Sequence, residues 1–529
     1  MHAFLDKFSI GIGFCSAKSK TGIMENALRL TTLMALGLGC LGAASNPAAL
    51  AQDATTSPIL PSISHFTTGE TLSLETGISF QTDWDRVVLA TDEDGGETTI
   101  SGTSYQLDCD CDLAARPVVF LFNGGPGASS SPLHFSLGPY ARQREESGET
   151  NFTPNTNTVL DAADLVFIDP VETGFSRASS EEVSKAYLDV AGDAKAVSDF
   201  IHTWLSAHDR ETSPVLIAGQ SYGGFRLGNL LPHVGDLPVA GLIMVSPAID
   251  SGISATDQGY VHTLPTMVAT AWRFGKSAIE ADSEKQAFEL ARDFAETDYL
   301  LALQQGADLP ADEVERISKA LSEMTGLKQA AIADADIRIP IQYFLENVLA
   351  EENLLVSRLN TGKTAPKAPP KLEGRPAAAN DPSLGLGRSN KIISEDIGNY
   401  LKDLTGYTQE DGYRSLNLDA NFAWNWNPGR RYSPYSTTIP MLEAFFEENA
   451  EPELLIVTGY RDLAIPTMTV EYTISHADLP QDRVEVLPML GGHSPYDEPE
   501  IAPVFSSEIR DFILNSTSGD IAKEDNVHE

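Results

Sequence analysis

Pro214-Val215-Leu216-Ile217-Ala218-Gly219-Gln220-Ser221-Tyr222-Gly223-Gly224 is the stretch on which the reading of this chain turns. Its first five residues form a continuous apolar run, as in a strand covered on both faces, and the glycines that follow mark a sharp turn into a helix. A serine in such a turn holds a strained backbone conformation with its hydroxyl exposed, which requires almost no side chain two positions before and after it. Gly219 and Gly223 meet that requirement. Gly-x-Ser-x-Gly also arises by chance in Gly-rich loops, so the neighbouring segments have to decide.

Upstream, Val118-Val119-Phe120-Leu121-Phe122 and Leu165-Val166-Phe167-Ile168 are further buried-strand runs. Between Glu181 and His208 the apolar residues fall near helical spacing, with Ser179-x-x-Glu182 as a capping box. Downstream comes the strand Gly241-Leu242-Ile243-Met244-Val245. Strands alternating with helices predict an α/β fold with a central, mostly parallel sheet. Residues 52–115 alternate instead, and predict antiparallel strands joined by hairpins. The α/β order breaks near Ser254. Residues 255–435 carry a mainly helical pattern, including Ser283 to Leu303 and Ala311 to Met324 with Gly326 as its stop. Within them, 361–390 is rich in Pro, Gly, Ala and Lys and predicts a mobile, basic surface loop. The alternation resumes at Leu454-Leu455-Ile456-Val457 and Val484-Glu485-Val486-Leu487, with a last helix from about Val504 to Leu514. The expected plan is a core of residues 52–254 and 436–515, interrupted by a helical cap at 255–435 and followed by a polar, disordered tail at 516–529.

The formal charge of −39 and pI near 4.5 exclude nucleic acid and anionic membrane surfaces as natural partners. Residues 24–51 read as a secretory signal: Arg29, an apolar stretch from Leu30 to about Ala44, then Ala49-Leu50-Ala51 before Gln52. Residues 1–51 are therefore expected to leave the mature protein, with Met24 a candidate true start, and the protein to be exported to the periplasm or medium. A second reading lipidates Cys40, although Gly37 stands where a larger aliphatic residue is usual. No segment is apolar over the roughly 20 residues that a spanning helix needs. Cys109 and Cys111 are the cysteines that would remain, and their Cys-Asp-Cys spacing closes a very small ring. Two ligands are too few for a structural zinc site, and neither a metal nor another cofactor is expected.

A serine nucleophile needs a base and an acid that orients the base, and in an α/β-hydrolase they follow in the order Ser, Asp or Glu, His. Of the histidines after the strand at 454–457, His476 falls on an expected helix, Met468 to Ala477, and His528 in the tail. His493 follows the Val484 strand on the Gly491-Gly492 loop. Asp462 lies just past the Leu454 strand in Thr458-Gly459-Tyr460-Arg461-Asp462. The catalytic candidates are therefore Ser221, Asp462 and His493. For the oxyanion hole, Tyr222 follows the nucleophile and Gly125 sits in Asn123-Gly124-Gly125-Pro126-Gly127, after the Phe120 strand.

Asn123-Gly124-Gly125-Pro126-Gly127-Ala128-Ser129-Ser130, Phe167 to Ser176, Ser221-Tyr222-Gly223-Gly224, Gly459 to Pro466 and Gly492-His493 together resemble the serine carboxypeptidase family, in family order. The resemblance implies an α/β-hydrolase that releases C-terminal residues from peptides through an acyl-enzyme, with Ser221 as nucleophile, His493 as base and Asp462 as its partner. It also implies that Asn123 and two glutamates sharing a proton bind the substrate carboxylate. This chain departs there, with Gln220 before the nucleophile and Ser136 before Leu137-Gly138-Pro139. Asn123 and Gln220 remain the substrate-binding candidates. Glu172 stands where the family usually has glycine and either favours a basic or amino-terminal group nearby or, as expected, faces solvent; Arg226 is either an anion contact or half of a structural ion pair. A peptide is the expected partner. An esterase or acyltransferase of the same fold, and a non-catalytic binding protein, are the alternatives.

Overall fold

Residues that alternate in the sequence pair as antiparallel strands, and residues that are apolar throughout form the parallel centre. The computed structural model describes residues 60–145, 149–426 and 436–518. One ten-stranded sheet contains β1 (Ser62–Phe66), β2 (Leu72–Ser73), β3 (Ser79–Thr91), β4 (Glu97–Leu107), β5 (Val118–Phe122), β6 (Asp164–Asp169), β7 (Val215–Gln220), β8 (Val239–Val245), β9 (Glu453–Gly459) and β10 (Val484–Met489). Their spatial order is β1-β3-β4-β6-β5-β7-β8-β9-β10, with β2 beside β3. Pairing is antiparallel from β1 to β6 and parallel from β6 through β10. This is the α/β-hydrolase fold.

Every residue of β5, β6 and β7 is buried, because helices cover both faces. Val118, Phe120 and Phe122 join one core cluster with Val197, Trp204 and Phe445, whereas Val119 and Leu121 join another with Phe505 and Ile509. Successive strand residues point to opposite faces, so one run feeds two layers. The expected helix from Glu181 is two, Glu181–Ser184 and Val190–Ala207. Asp189 divides them: its carboxylate accepts the Gly192 N–H at 2.7 Å and caps the longer helix. Cys109 and Cys111, whose narrow spacing disfavours pairing on sequence grounds, are disulfide-bonded. Their Cα atoms lie 5.3 Å apart, within reach of a bridge.

Between β8 and β9 the chain leaves the sheet. The helices Gln258–Arg273, Glu284–Phe294, Ala311–Thr325 and Ile341–Asn347 build a core of their own, including Leu264, Leu321 and Phe344, which also takes in Leu463 and Met468. Beyond Asn347 the insert includes two small antiparallel strand pairs, Leu354–Val356 with Thr364–Pro366 and, on either side of the helix Glu395–Thr405, Lys391–Ile393 with Arg414–Asn417. The basic loop is also more ordered than its composition predicts. Arg375 is buried, and its guanidinium donates to the carbonyls of Gly387 and Ser389 at 3.2 and 2.7 Å. The Asp381 carboxylate accepts from Ser357 Oγ at 2.8 Å and Arg358 N at 2.5 Å. Charged residues that look solvated in the sequence here satisfy the backbone of an irregular segment. The signal region expected at 1–51 and residues 519–529 of the tail expected at 516–529 lie outside the described residues, whereas residues 516 and 517 end the helix Ala502–Thr517.

His134 is buried between the rings of Phe135 and Phe167 and bonds Tyr105 Oη at 2.7 Å through Nε2. Burial pulls its pKa down from 6.5 to about 3. Below about pH 6.5 the unfolded chain binds a proton that folded His134 refuses, so stability falls with pH by up to about 1.4 kcal/mol per unit. His262, lowered to about 4 by burial, acts in the same direction, and Asp169, raised by burial to about 6, acts in the opposite one. Replacing His134 by Phe is expected to flatten the loss between about pH 6 and 4, as read from urea denaturation at a series of pH values.

Candidate active site

β7 ends at Gln220, and the next residue turns the chain. Ser221 has φ 60° and ψ −126°, a conformation that costs an L-residue about 1–3 kcal/mol. Three backbone bonds hold it: Ser221 N–H donates to Val245 O at 2.9 Å, and its carbonyl accepts from Gly224 and Ala248 at 2.9 and 3.0 Å. A Cβ at Gly219 would lie 2.3 Å from Gly223 O, which is why the position before the turn carries no side chain. The serine is left half-buried at the carboxyl end of the central strand.

β9 leads into the loop of Asp462. Asp462 is fully buried; Oδ1 accepts the N–H groups of Ala464 and Ile465 at 2.7 and 3.1 Å, and Oδ2 lies 2.7 Å from His493 Nδ1. With Nδ1–H donated to Asp462, His493 Nε2 carries the lone pair that a general base requires. His493 follows β10 on a loop that packs closely: a Cβ at Gly459 would sit 2.1 Å from Gly492 O, and one at Gly492 would sit 2.5 Å from Asn360 Cβ. Its N–H donates to Leu359 O at 2.6 Å. The structure therefore brings Asp462 and His493 into direct contact. Ser221 is joined to them through Gln220, whose Nε2 donates to His493 O at 2.9 Å, and no Ser221–His493 hydrogen bond occurs among the described residues.

Gly124 and Gly125 press against the same turn. A Cβ at Gly124 would lie 2.4 Å from Tyr222 N, and Gly125 has φ 100°. Tyr222 opens the Tyr222–Leu230 helix, so its N–H has no carbonyl one turn back to bond. Asn421 Nδ2 donates to Gly125 O at 3.0 Å and braces this loop from the insert.

Gln220 is buried, and its amide is fully engaged. Oε1 accepts from Asn123 Nδ2 and, at 2.5 Å, from Tyr496 Oη; Nε2 donates to His493 O and Ser494 Oγ, both at 2.9 Å. An amide has two donor protons and two acceptor sites, so none is left for a ligand. Gln220 is thus a strap between the Ser221 turn and the His493 loop, with every donor and acceptor of its amide engaged. Asn123 is likewise buried, with Oδ1 accepting from Leu133 N at 3.3 Å. Tyr496 was missed at the sequence level, since nothing local marks it. Ser136 lies on the Ser131–Leu137 helix, where its carbonyl accepts from Asn155 Nδ2 at 2.8 Å.

Arg226 is the structural half of its pair of readings. Its guanidinium is buried, donating to Asp193 at 2.7 Å and to Asn123 O at 2.5 Å. Replacing Arg226 by Ala is expected to cost about 3–5 kcal/mol, because Asp193 would be left as an unpaired buried carboxylate, and differential scanning calorimetry checks this. Glu172 does not face solvent freely: it pairs with Arg414 of the insert at 2.6 Å and accepts from Ala178 N at 3.1 Å. His476 Nδ1 bonds Tyr472 O at 2.8 Å at the end of its own helix, and His528 lies outside the described residues. Among the described residues one group, His65, Asp85 and His208, has ligand atoms within 4.8 Å of one another. It lies on the antiparallel flank, where Asp85 also accepts the Trp204 indole N–H at 2.9 Å.

Residues 109–236 match the model of the family described as serine carboxypeptidase. Serine carboxypeptidase-like 5 of Arabidopsis thaliana is 35% identical over 135 residues, 25% of this chain and 30% of that protein. Serine carboxypeptidase-like 13 of the same plant is 28% identical over 166 residues, 30% of this chain and 38% of that protein. The chain thus spans about a third of the length of these curated relatives. Among solved structures, Kex1Δp, a prohormone-processing carboxypeptidase from Saccharomyces cerevisiae, aligns with 86% of this chain and 92% of its own at 15% identity and a TM-score of 0.48. The proline iminopeptidase of Mycobacterium smegmatis aligns with 86% and 99% at 12% identity and a TM-score of 0.32. By its sheet topology the protein has the α/β-hydrolase fold. Over residues 109–236 it is similar to the serine carboxypeptidase family.

Proposed function

We propose that this protein is a serine-type carboxypeptidase in which Ser221, His493 and Asp462 act as nucleophile, base and orienting acid. The observation that carries this reading is the His493–Asp462 bond of 2.7 Å, strapped through Gln220 to a serine held at φ 60°. In the first step Ser221 Oγ attacks the carbonyl carbon of the last peptide bond while His493 Nε2 takes its proton, and the oxyanion is received by the N–H groups of Gly125 and Tyr222. Collapse breaks the C–N bond; His493 returns the proton to the departing amine, which leaves as the C-terminal amino acid. Water then attacks the acyl-Ser221 ester with His493 again as base, releasing the shortened peptide and restoring the hydroxyl. The chemistry needs no metal or organic cofactor. Export is part of the proposal, resting on the sequence at 24–51, and N-terminal sequencing of protein recovered from the periplasm or medium tests it.

Incubation with a set of N-acetylated tetrapeptides and their C-terminally amidated twins tests the activity. Faster release from the free acids is the expected result. The occupied amide of Gln220 keeps an esterase or acyltransferase as the second reading, and hydrolysis of small esters with neither peptide form cleaved would favour it. Absence of all turnover would leave a non-catalytic binding protein.

A further inference from the structure

If peptides are cut at their free C-terminus, some group must recognise a carboxylate, and neither Gln220 nor Ser136 is equipped for it. A cation lies near Asp462. Arg358 lies on the insert segment that backs both catalytic loops: its own carbonyl accepts the Leu463 N–H at 3.0 Å, and the carbonyl of the next residue, Leu359, accepts the His493 N–H at 2.6 Å. The side chain is half-buried, and its Nε is fully buried without a hydrogen-bond partner. No ion pair or hydrogen bond engages the guanidinium among the described residues, whereas the other arginines near the site, Arg226, Arg414 and Arg461, each hold a carboxylate.

The two carboxylates whose charge acts on Arg358 are Asp381 and Asp462, and both have their oxygens committed elsewhere. Asp381 accepts from Ser357 Oγ, Ser383 N and the backbone N–H of Arg358 itself. Asp462 accepts from Ala464 N, Ile465 N and His493. Burial accordingly lowers the Arg358 pKa, only partly offset by these two charges, as for a cation still lacking direct partners. A guanidinium left with unused donors near Asp462 is suited to a planar anion.

We propose that Arg358 binds the free α-carboxylate of the peptide substrate, taking over the task that the missing glutamate pair performs in the family. The inference rests on the carboxypeptidase reading above. It makes Arg358 a specificity residue: the scissile bond next to a C-terminal carboxylate is selected by an ion pair from the insert, and an amidated end, which offers no charge, is not.

The test is made on the full mature protein. Binding of the N-acetylated tetrapeptides and their amides is measured by calorimetry on the Ser221→Ala variant, with and without Arg358→Gln, alongside kcat/KM for both peptide forms and for a small ester with Ser221 intact. Removing a charge-assisted bond of this kind is expected to weaken free-acid binding about 10- to 100-fold and to leave the amides and the ester unchanged. Arg358→Lys, which keeps the charge without the fork, is expected to recover part of the loss. Retained fluorophosphonate labelling in Arg358→Gln shows that the triad has survived the substitution. Preference for free acids that persists in Arg358→Gln overturns the assignment while leaving the carboxypeptidase reading intact. An equal loss on acid, amide and ester overturns it too, since Arg358 would then act only by supporting Asp462. If the Ser221→Ala protein shows no preference for free acids over amides, both this assignment and the carboxypeptidase reading fall.

Discussion

Ser221→Ala is expected to lower kcat/KM by about ten-thousand- to a million-fold and to abolish covalent labelling by a fluorophosphonate. The magnitude follows from what is removed: without Oγ no acyl-enzyme forms, and the remaining turnover rests on the oxyanion donors and on substrate positioning alone. Fold and stability are expected to be little affected, because Ser221 is held by its backbone N–H and carbonyl rather than by its side chain. The positive φ persists in the variant, enforced by the bonds to Val245, Gly224 and Ala248. Labelling that survives the substitution would move the nucleophile elsewhere. Circular dichroism recorded in parallel separates loss of chemistry from loss of fold.

Asp462→Asn is expected to reduce kcat by about ten-thousand-fold with the loop geometry intact. Two backbone N–H groups, from Ala464 and Ile465, point at Oδ1, so the asparagine carbonyl oxygen has to take that place. Its NH2 is then turned toward His493 Nδ1, where the carboxylate oxygen stood at 2.7 Å. Facing a donor, Nδ1 must become the acceptor, and the ring proton moves to Nε2. In that tautomer His493 has no lone pair to offer Ser221. A fall in kcat with KM little changed supports this role, and the measurement is steady-state kinetics on a small ester, which does not depend on carboxylate recognition. A tenfold loss or less would mean that Asp462 does not orient the base.

The three catalytic candidates could be read from the chain because their signals are local. Each stands just past a buried strand, and glycines such as Gly219 and Gly492 mark where backbone must approach backbone, as the contacts at those positions bear out. The parallel centre was equally legible, since Val118 to Phe122 and Val215 to Gln220 are apolar on both faces. What lay hidden was long-range pairing between residues with no shared period. Tyr496 closes on Gln220 across 276 positions of sequence, and Arg461 reaches Glu284 across 177. The insert was misread past Asn347 because strands of three or four residues, such as Leu354–Val356, are too short to show an alternation. Arg226, Arg375 and Glu172 were ambiguous for a related reason: a charge in a sequence says nothing about whether its partner is water or another part of the fold.

The residue beside Asp462 fastens the insert. Arg461 donates to Glu284 Oε1 and Oε2 at 2.7 and 2.8 Å, with both side chains nearly buried, and its carbonyl accepts the Thr361 N–H at 2.9 Å. Leu463, on the other side of Asp462, is packed into the insert's own core. The insert therefore cannot swing away as an independent lid without dragging the acid loop, and through Leu359 the histidine loop, out of register. Partial melting of the helices at 258–349 should silence the enzyme before the sheet gives way. In a denaturant titration, activity would then report on the insert's integrity, and it would vanish while the far-UV signal of the sheet core still persists.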